Sequence, residues 1–439
     1  MIIPLLVISF LIAIGIRRVF LHPLSKFPGP KLAALSTWYQ AYFDIVKNGG
    51  FLKHLHELHE AYGPVIRIGP NHLHFCTADG YHDIYNTPTY AKSISLYRAF
   101  PPPRATSFTF TDIAKARERR AVLNPLFSRR SILKLERFLQ KRVGLFQVDI
   151  FISRVLSQKE PFFMDQAVRS LTTDIITTYC FATCFDTIDD PDFCHPITLA
   201  QRDFFAGLWI TKHFPLLVYV PFLLPKWLAK KLIPGFVTYR ERLIEPLAHQ
   251  VEKYMIDKDE LTKAEHDTVF HHLLAHRDKS GAEMSKKTLI NEAVIVIGAG
   301  EDTVANACTV AIANALRNPE IHRKLAEELR EAWPDKNMEF GYTAFEKLPY
   351  LTAFIKEALR CSHGVVSPLP RVVGPGDGRI DGYDIPRGTI VATSAVFLHQ
   401  NPEVFENPKE FRPERWFEPN AREIESRYLV AFSRGPRVW

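Results

Sequence analysis

The sequence predicts a mainly α fold with small β-sheets, an α+β arrangement, and three observations carry that prediction. From about Thr111 to Leu351, apolar residues recur at three- and four-residue spacing, in stretches such as "KLERFLQKRVGLF" and "IHRKLAEELREAW", the period of an amphipathic helix. Strand-and-turn texture is confined to the flanks of this region, in "PVIRIGPNHLHFCT" before it and "PRVVGPGDGRIDGYDIPRGTIVATSAVF" after Ser367. Strands therefore do not alternate with helices, which excludes a βαβ sheet. With 439 residues, 46% of them hydrophobic, and no internal repeat or low-complexity tract, the body is read as one large domain.

The first element is the apolar run "MIIPLLVISFLIAIGI", followed at once by Arg17 and Arg18. Continued through Val19, Phe20 and Leu21, it approaches the roughly 20 residues that span a bilayer, and the positive charge behind it favours a cytoplasmic body. No basic residue precedes the run and no A-x-A site follows it, so residues 1–21 are predicted to be a retained anchor, not a cleaved signal peptide. Residues 22–31, "HPLSKFPGPK", carry three prolines and a glycine and form a predicted hinge, leaving 32–439 as the globular domain. Next come a helix in "FLKHLHELHEAYG" and two short strands around a Gly-Pro-Asn turn. The segment "FPLLVYVPFLLPKW" is too short and too proline-rich to span a membrane, and is predicted as a buried or membrane-dipping loop between helices.

The net charge of +7 comes from 55 basic and 48 acidic residues spread along the chain, with no like-charge block to form a nucleic-acid arm. Mild basicity of this kind suits an anionic membrane surface or an acidic redox partner. The six cysteines, Cys76, Cys180, Cys184, Cys194, Cys308 and Cys361, show no metal-ligand spacing and read as reduced thiols in a cytosol-facing protein.

Four motifs stand out. "LINEAVIVIGAGEDTVANACTVAIANALRNP" is an apolar helix interrupted by Gly298, Gly300, Glu301, Asp302 and Thr303. Acidic residues there are costly unless something needs them. The sequence allows a local helix distortion with room for a small ligand, or a flexible turn between two core helices. "FIKEALRCSHG" sets Glu357 and Arg360 three residues apart on one helix face, and Arg415 in "FENPKEFRPERW" could complete a buried ionic triad with them. The fourth motif is "FSRGPRVW".

In this order and spacing the four motifs resemble those of the cytochrome P450 monooxygenases, over nearly the whole chain. "PGPKLAALSTWYQAYFDI" and "YGPVIRIGPNHLHF" further resemble filamentous-fungal enzymes of secondary metabolism. The resemblance implies haem b with its iron, and electrons from NADPH through a reductase. It also implies a small apolar substrate of terpene or polyketide type, and single-pass attachment to the endoplasmic reticulum with the catalytic domain in the cytosol. Asp302 and Thr303 match the acid and alcohol that deliver protons during dioxygen activation, and Gly300 matches the cofactor-facing glycine beside them. Arg120, Arg371 and Arg437 match the guanidinium groups that hold haem propionates, where bidentate pairing favours Arg over Lys. The aromatic residue or histidine expected four positions before Arg120 is Ala116. Glu357, Arg360 and Arg415 match the structural triad behind the haem.

In the pattern F-x-x-G-x-R-x-C, counted from Phe432, the ligand cysteine falls at position 439, where this sequence has Trp439. Indole N–H is a donor only and cannot replace a thiolate, whose electron donation favours O–O cleavage. The literal chain is therefore expected to lack its metal ligand and its last segment, and to be inactive as it stands. One alternative is a catalytically dead remnant that acts as a binding protein or has no function. Another is an unspliced intron: cysteine codons begin TG and introns commonly begin GTAA, which reads as tryptophan and then a stop.

Overall fold

The computed structural model describes residues 2–100, 106–138, 144–277, 281–335 and 341–437. Helix α1 (Ile2–Ile16) contains no charged residue and is exposed along most of its length; with the turn that follows, Ile3–Leu21 is long and apolar enough to cross a membrane. The proline-rich segment after it is strapped to the body: Arg67 N–H donates to the Pro28 carbonyl at 2.7 Å and the Arg67 guanidinium to the Arg18 carbonyl at 2.8 Å.

Helix α2 (Phe51–Tyr62) turns Phe51, Leu55 and Leu58 inward, at the spacing of one helix face. Strands β1 (Val65–Gly69) and β2 (His72–Phe75) pair antiparallel across the Gly-Pro-Asn turn. Helix α3 (Ala78–Asn86) starts at Thr77, whose Oγ1 accepts from Gly80 N–H at 3.0 Å. The late strands β4 (Arg371–Val372) and β7 (Ile390–Ala392) do not form a second sheet with their neighbours. They join β1, β2 and β3 (Ala91–Lys92) in one five-stranded sheet of order β1-β2-β7-β4-β3, with β2 and β7 parallel. Only β5 (Gly378–Ile380) and β6 (Tyr383–Ile385) stand apart, as a hairpin whose Asp381-Gly382 turn has both φ angles positive. Two flanking regions that read separately in sequence are thus one layer, which brings Arg371 next to Lys92 in register.

The helical body comprises α4 (Ile113–Leu123), α5 (Met164–Phe181), α6 (Pro196–His213), α7 (Glu245–Ile256), α8 (Lys286–Arg317), α9 (Pro319–Ala332) and α10 (Pro349–Ser362), together with the helices Arg129–Phe138 and Gly144–Ser157 and shorter pieces. At 32 residues, α8 is about 48 Å long and forms the axis of the molecule. Leu289, Ala293, Val296 and Ile297 on one of its faces pack with Phe181, Leu243, Leu247, Val251 and Phe270.

Two expectations are corrected. The glycines of α8 do not break it: the helix is continuous through Gly298–Thr303. A Cβ on Gly300 would sit 2.7 Å from Ile176 of α5, so this glycine serves close helix–helix approach, and the helix tolerates it because packing offsets its low propensity. The segment 214–227 is not an irregular buried loop: it forms the helical turns Pro215–Tyr219 and Val220–Leu223, with Leu216, Tyr219, Phe222, Leu223 and Trp227 exposed and Val218 turned inward, which removes the buried alternative and not the membrane-dipping one.

Candidate active site

Three side-chain groups lie around α8 and α10. The first is centred on Glu357, which has no exposed surface. Its Oε1 accepts from Arg360 Nη2 at 2.7 Å, Arg415 Nε at 3.0 Å and the Arg412 backbone N–H at 2.9 Å. Its Oε2 accepts from Arg360 Nε at 2.9 Å and Trp416 Nε1 at 3.1 Å. Arg360 spends its remaining N–H groups on the carbonyls of His399, Pro408 and Glu410. A buried ion pair tolerates its desolvation only when the leftover donors and acceptors are satisfied in this way. Sequence reasoning found the three charges but missed Trp416 and the Arg412 backbone, although both lie within three residues of Arg415. Cys361 is spent here too, its sulfur accepting from Arg360 Nη2 at 3.2 Å.

The second group is a cluster of cations. Arg120, in the last turn of α4, donates to the Pro436 carbonyl. Arg437, in the turn Gly435–Arg437, donates through Nη2 to the Phe110 carbonyl at 2.6 Å. Arg371, opening β4 and 3% exposed, donates to Tyr97 Oη at 3.1 Å. Lys92, missed in the sequence, is also 3% exposed; its ammonium donates to the Phe108 carbonyl at 2.6 Å and lies over the Tyr97 and Phe108 rings. The signal for it was a lysine inside the aromatic and β-branched run "TYAKSISLY". Burial, then the charges of Arg371, Arg437 and Arg120, holds the Lys92 pKa well below its ordinary value. Burial first, and Arg371 next, pushes Arg437 down to about 10. Among the described residues no carboxylate accepts a hydrogen bond from any of these four side chains.

A buried carboxylate ties this cluster to α8. Glu292, without exposed surface, accepts from Arg119 at 2.6 Å and from the N–H and hydroxyl of Ser107 at 2.8 and 2.7 Å. The neighbour of Arg120 and the segment that carries Phe110 are thereby pinned to one turn of α8. Sequence reasoning passed over Glu292, whose signal was an acid within "LINEAVIV".

The third group is on α8 itself. Thr303 donates its hydroxyl to the Ala299 carbonyl at 2.9 Å, one turn back. Asp302 pairs through Oδ1 with Arg169 Nη1 of α5 at 2.5 Å. Gly300 joins neither group; its open side meets Ile176. Trp439 lies outside the described residues. A solvent-open cavity of about 780 Å³ lies elsewhere, lined by Ala182, Phe185, Leu247 and Tyr254 among others, and none of the candidate residues borders it.

The profile of the cytochrome P450 family matches residues 30–438. The chain belongs to the cytochrome P450 family. Among relatives of this P450 are cytochrome P450 monooxygenase macH of Penicillium terrestre and cytochrome P450 monooxygenase aneF of Aspergillus aculeatus. The first is 34% identical over 96% of this chain and 84% of its own length, the second 34% identical over 98% and 87%. Tryptophan 6-hydroxylase fscE of Fusarium equiseti is 34% identical over 97% of this chain and 83% of its own length. The family supports a general monooxygenase function, with haem iron and a reductase as electron source.

Whether this P450's residues suit haem can be judged from an orphaned atom. Among the described residues Arg437 Nη1 is buried with no acceptor, inside a cluster of four cations whose side chains donate to no carboxylate there. Such a place suits the two carboxylates of a haem edge, because charge-assisted bonds to them would satisfy both defects at once.

Proposed function

We propose that this chain is the body of a membrane-anchored haem-thiolate monooxygenase that inserts one oxygen atom from O2 into an apolar fungal secondary metabolite of terpene or polyketide type. The observation that carries this reading is the Lys92, Arg120, Arg371 and Arg437 cluster, whose charge and orphaned Arg437 Nη1 suit a dianionic cofactor edge. Arg120, Arg371 and Arg437 would hold the haem carboxylates, and haem there would supply dioxygen activation, one oxygen atom going to substrate and the other to water with two electrons from NADPH through a reductase. Thr303 presents its hydroxyl oxygen beside the Ala299 carbonyl, and Asp302, 41% exposed, exchanges protons with solvent and passes them toward Thr303. Residues 1–21 anchor the protein in the endoplasmic reticulum membrane and 22–31 join anchor to body, which is supported by the apolar, exposed α1.

Trp439, standing where the pattern calls for the ligand cysteine, favours a second reading, in which the protein is a non-catalytic binding form. Full-length cDNA sequencing tests the pair. A transcript with a cysteine codon at position 439 supports the first reading. Transcripts and genomic DNA that both lack that codon contradict it. Substrate class is tested by type I spectral titration of the haem-loaded protein with terpenes, polyketides and tryptophan, the last because of the name of one relative. A response to tryptophan alone contradicts the assignment.

A further inference from the structure

Two carboxyl groups on consecutive residues of α8 share one guanidinium nitrogen. Arg169 Nη1 lies 2.5 Å from Asp302 Oδ1 and 3.5 Å from Glu301 Oε1. The acids differ in surroundings: the Asp302 side chain is 41% exposed and that of Glu301 has no exposed surface. Glu301 Oε2 and Arg169 Nε are buried with no partner in hydrogen-bond geometry, the Gln201 amide lying close enough to pull on the Glu301 carboxyl without closing a bond. The groups facing Glu301 are Arg169 from α5, Asp302 beside it, the buried Gln201 amide from α6 and Tyr239, which is close enough to feel its charge. Arg169 is the one cation among them. A single positive charge thus stands against two acids, and a second buried negative charge there would lack a counter-ion. Burial first, and the charge of Asp302, outweigh the pull of Arg169 and push Glu301 up to about 8.

We propose that Glu301 is a positioning residue for Asp302 and acts through Arg169. As the uncharged acid it cedes the guanidinium to Asp302 and holds that carboxylate against α5; as the carboxylate it competes for Arg169 and releases Asp302. The exchange moves one proton and no electrons. Glu301 gives its proton to solvent, and the Arg169 N–H turns from Asp302 Oδ1 to Glu301 Oε1. The proposal rests on the reading of Asp302 as the proton-handling acid, but its test needs no haem.

The test is an infrared titration of the full chain, followed at the protonated-carboxyl band between about pH 6 and pH 10. The expected result is a band that disappears with a midpoint near 8 and is missing from Glu301→Gln. In Asp302→Asn the band persists with a lower midpoint, because the neighbouring charge that raised it is gone. A purely structural Glu301 would not couple to Asp302 in this way. The proposal is overturned if Glu301→Gln leaves the band intact, or if Asp302→Asn leaves its midpoint unmoved. The coupling without haem uptake would contradict the monooxygenase reading alone, and haem uptake without the coupling would contradict this proposal alone.

Discussion

Trp416 donates its indole N–H to Glu357 Oε2 at 3.1 Å, so the carboxylate between Arg360 and Arg415 is also closed on its aromatic side. Glu357→Gln keeps the shape and removes the charge, leaving two buried guanidinium groups without a counter-ion. It is expected to cost about 3–5 kcal/mol. Trp416→Phe removes one donor from an oxygen that Arg360 still serves and should cost about 1 kcal/mol. Urea unfolding of both variants checks the order, and equal losses would contradict it.

Gly300 brings α8 against Ile176. Gly300→Ala is expected to destabilise by about 1–3 kcal/mol through overpacking, despite the better helix propensity of alanine. Ile176→Ala removes the two carbons, Cδ1 and Cγ1, that the new methyl would crowd at 2.7 Å. The double variant should therefore be more stable than the sum of the single losses implies, a coupling read from a double-mutant cycle. Additive losses would show that the glycine is needed for something other than Ile176.

Four cations that, among the described residues, have no carboxylate hydrogen-bond partner work against the protein's own stability and in favour of an anionic cofactor. Arg437→Met should raise the unfolding midpoint of the haem-free chain. It should also weaken haem binding by roughly ten- to a hundredfold, the loss of a charge-assisted bond of about 1.5–3 kcal/mol. Thermal unfolding and haem titration by absorbance, on the same preparations, check both signs.

A histidine seam makes the protein acid-labile. His59 Nε2 and His74 Nδ1 lie 2.7 Å apart, and His363 and His399 face each other through Nδ1 at 3.4 Å. Burial, the leading cause in each case, pushes His59 and His363 down to about 4, His72 and His399 to about 3, and His74 well below its ordinary value. Unfolded histidine binds its proton near pH 6.5, so the unfolded chain takes up protons that the folded one refuses. Stability is full above that pH and falls as pH drops toward about 4 and then about 3, by up to about 1.4 kcal/mol per unit for each histidine. Urea midpoints across this window should fall with pH, and more gently in His74→Asn.

How much of this was legible in the sequence depends on how local each signal was. Glu357 and Arg360 could be paired because one helix face carries both, and the period of α8 and α10 is plain in their apolar residues. The joining of β2 to β7 could not be read, because a parallel pairing between distant short strands leaves no local pattern. Lys92 was hidden for the same reason: β3 is two residues long and gains its meaning from Arg371 across the sheet. The glycines of α8 misled. Gly298 and Gly300 read as a break, whereas the structure uses Gly300 for close approach to Ile176, a tertiary need with no mark on its own segment.

The central claim, that this P450 body becomes a haem-thiolate enzyme only with cysteine at position 439, is tested most directly by the reduced, CO-bound absorption spectrum. The spectrum is to be taken on the Trp439 chain and on its Trp439→Cys variant. The Soret band of thiolate ligation is expected from the variant and not from the Trp439 chain. A thiolate Soret band from the Trp439 chain, or none from the variant, would contradict the claim.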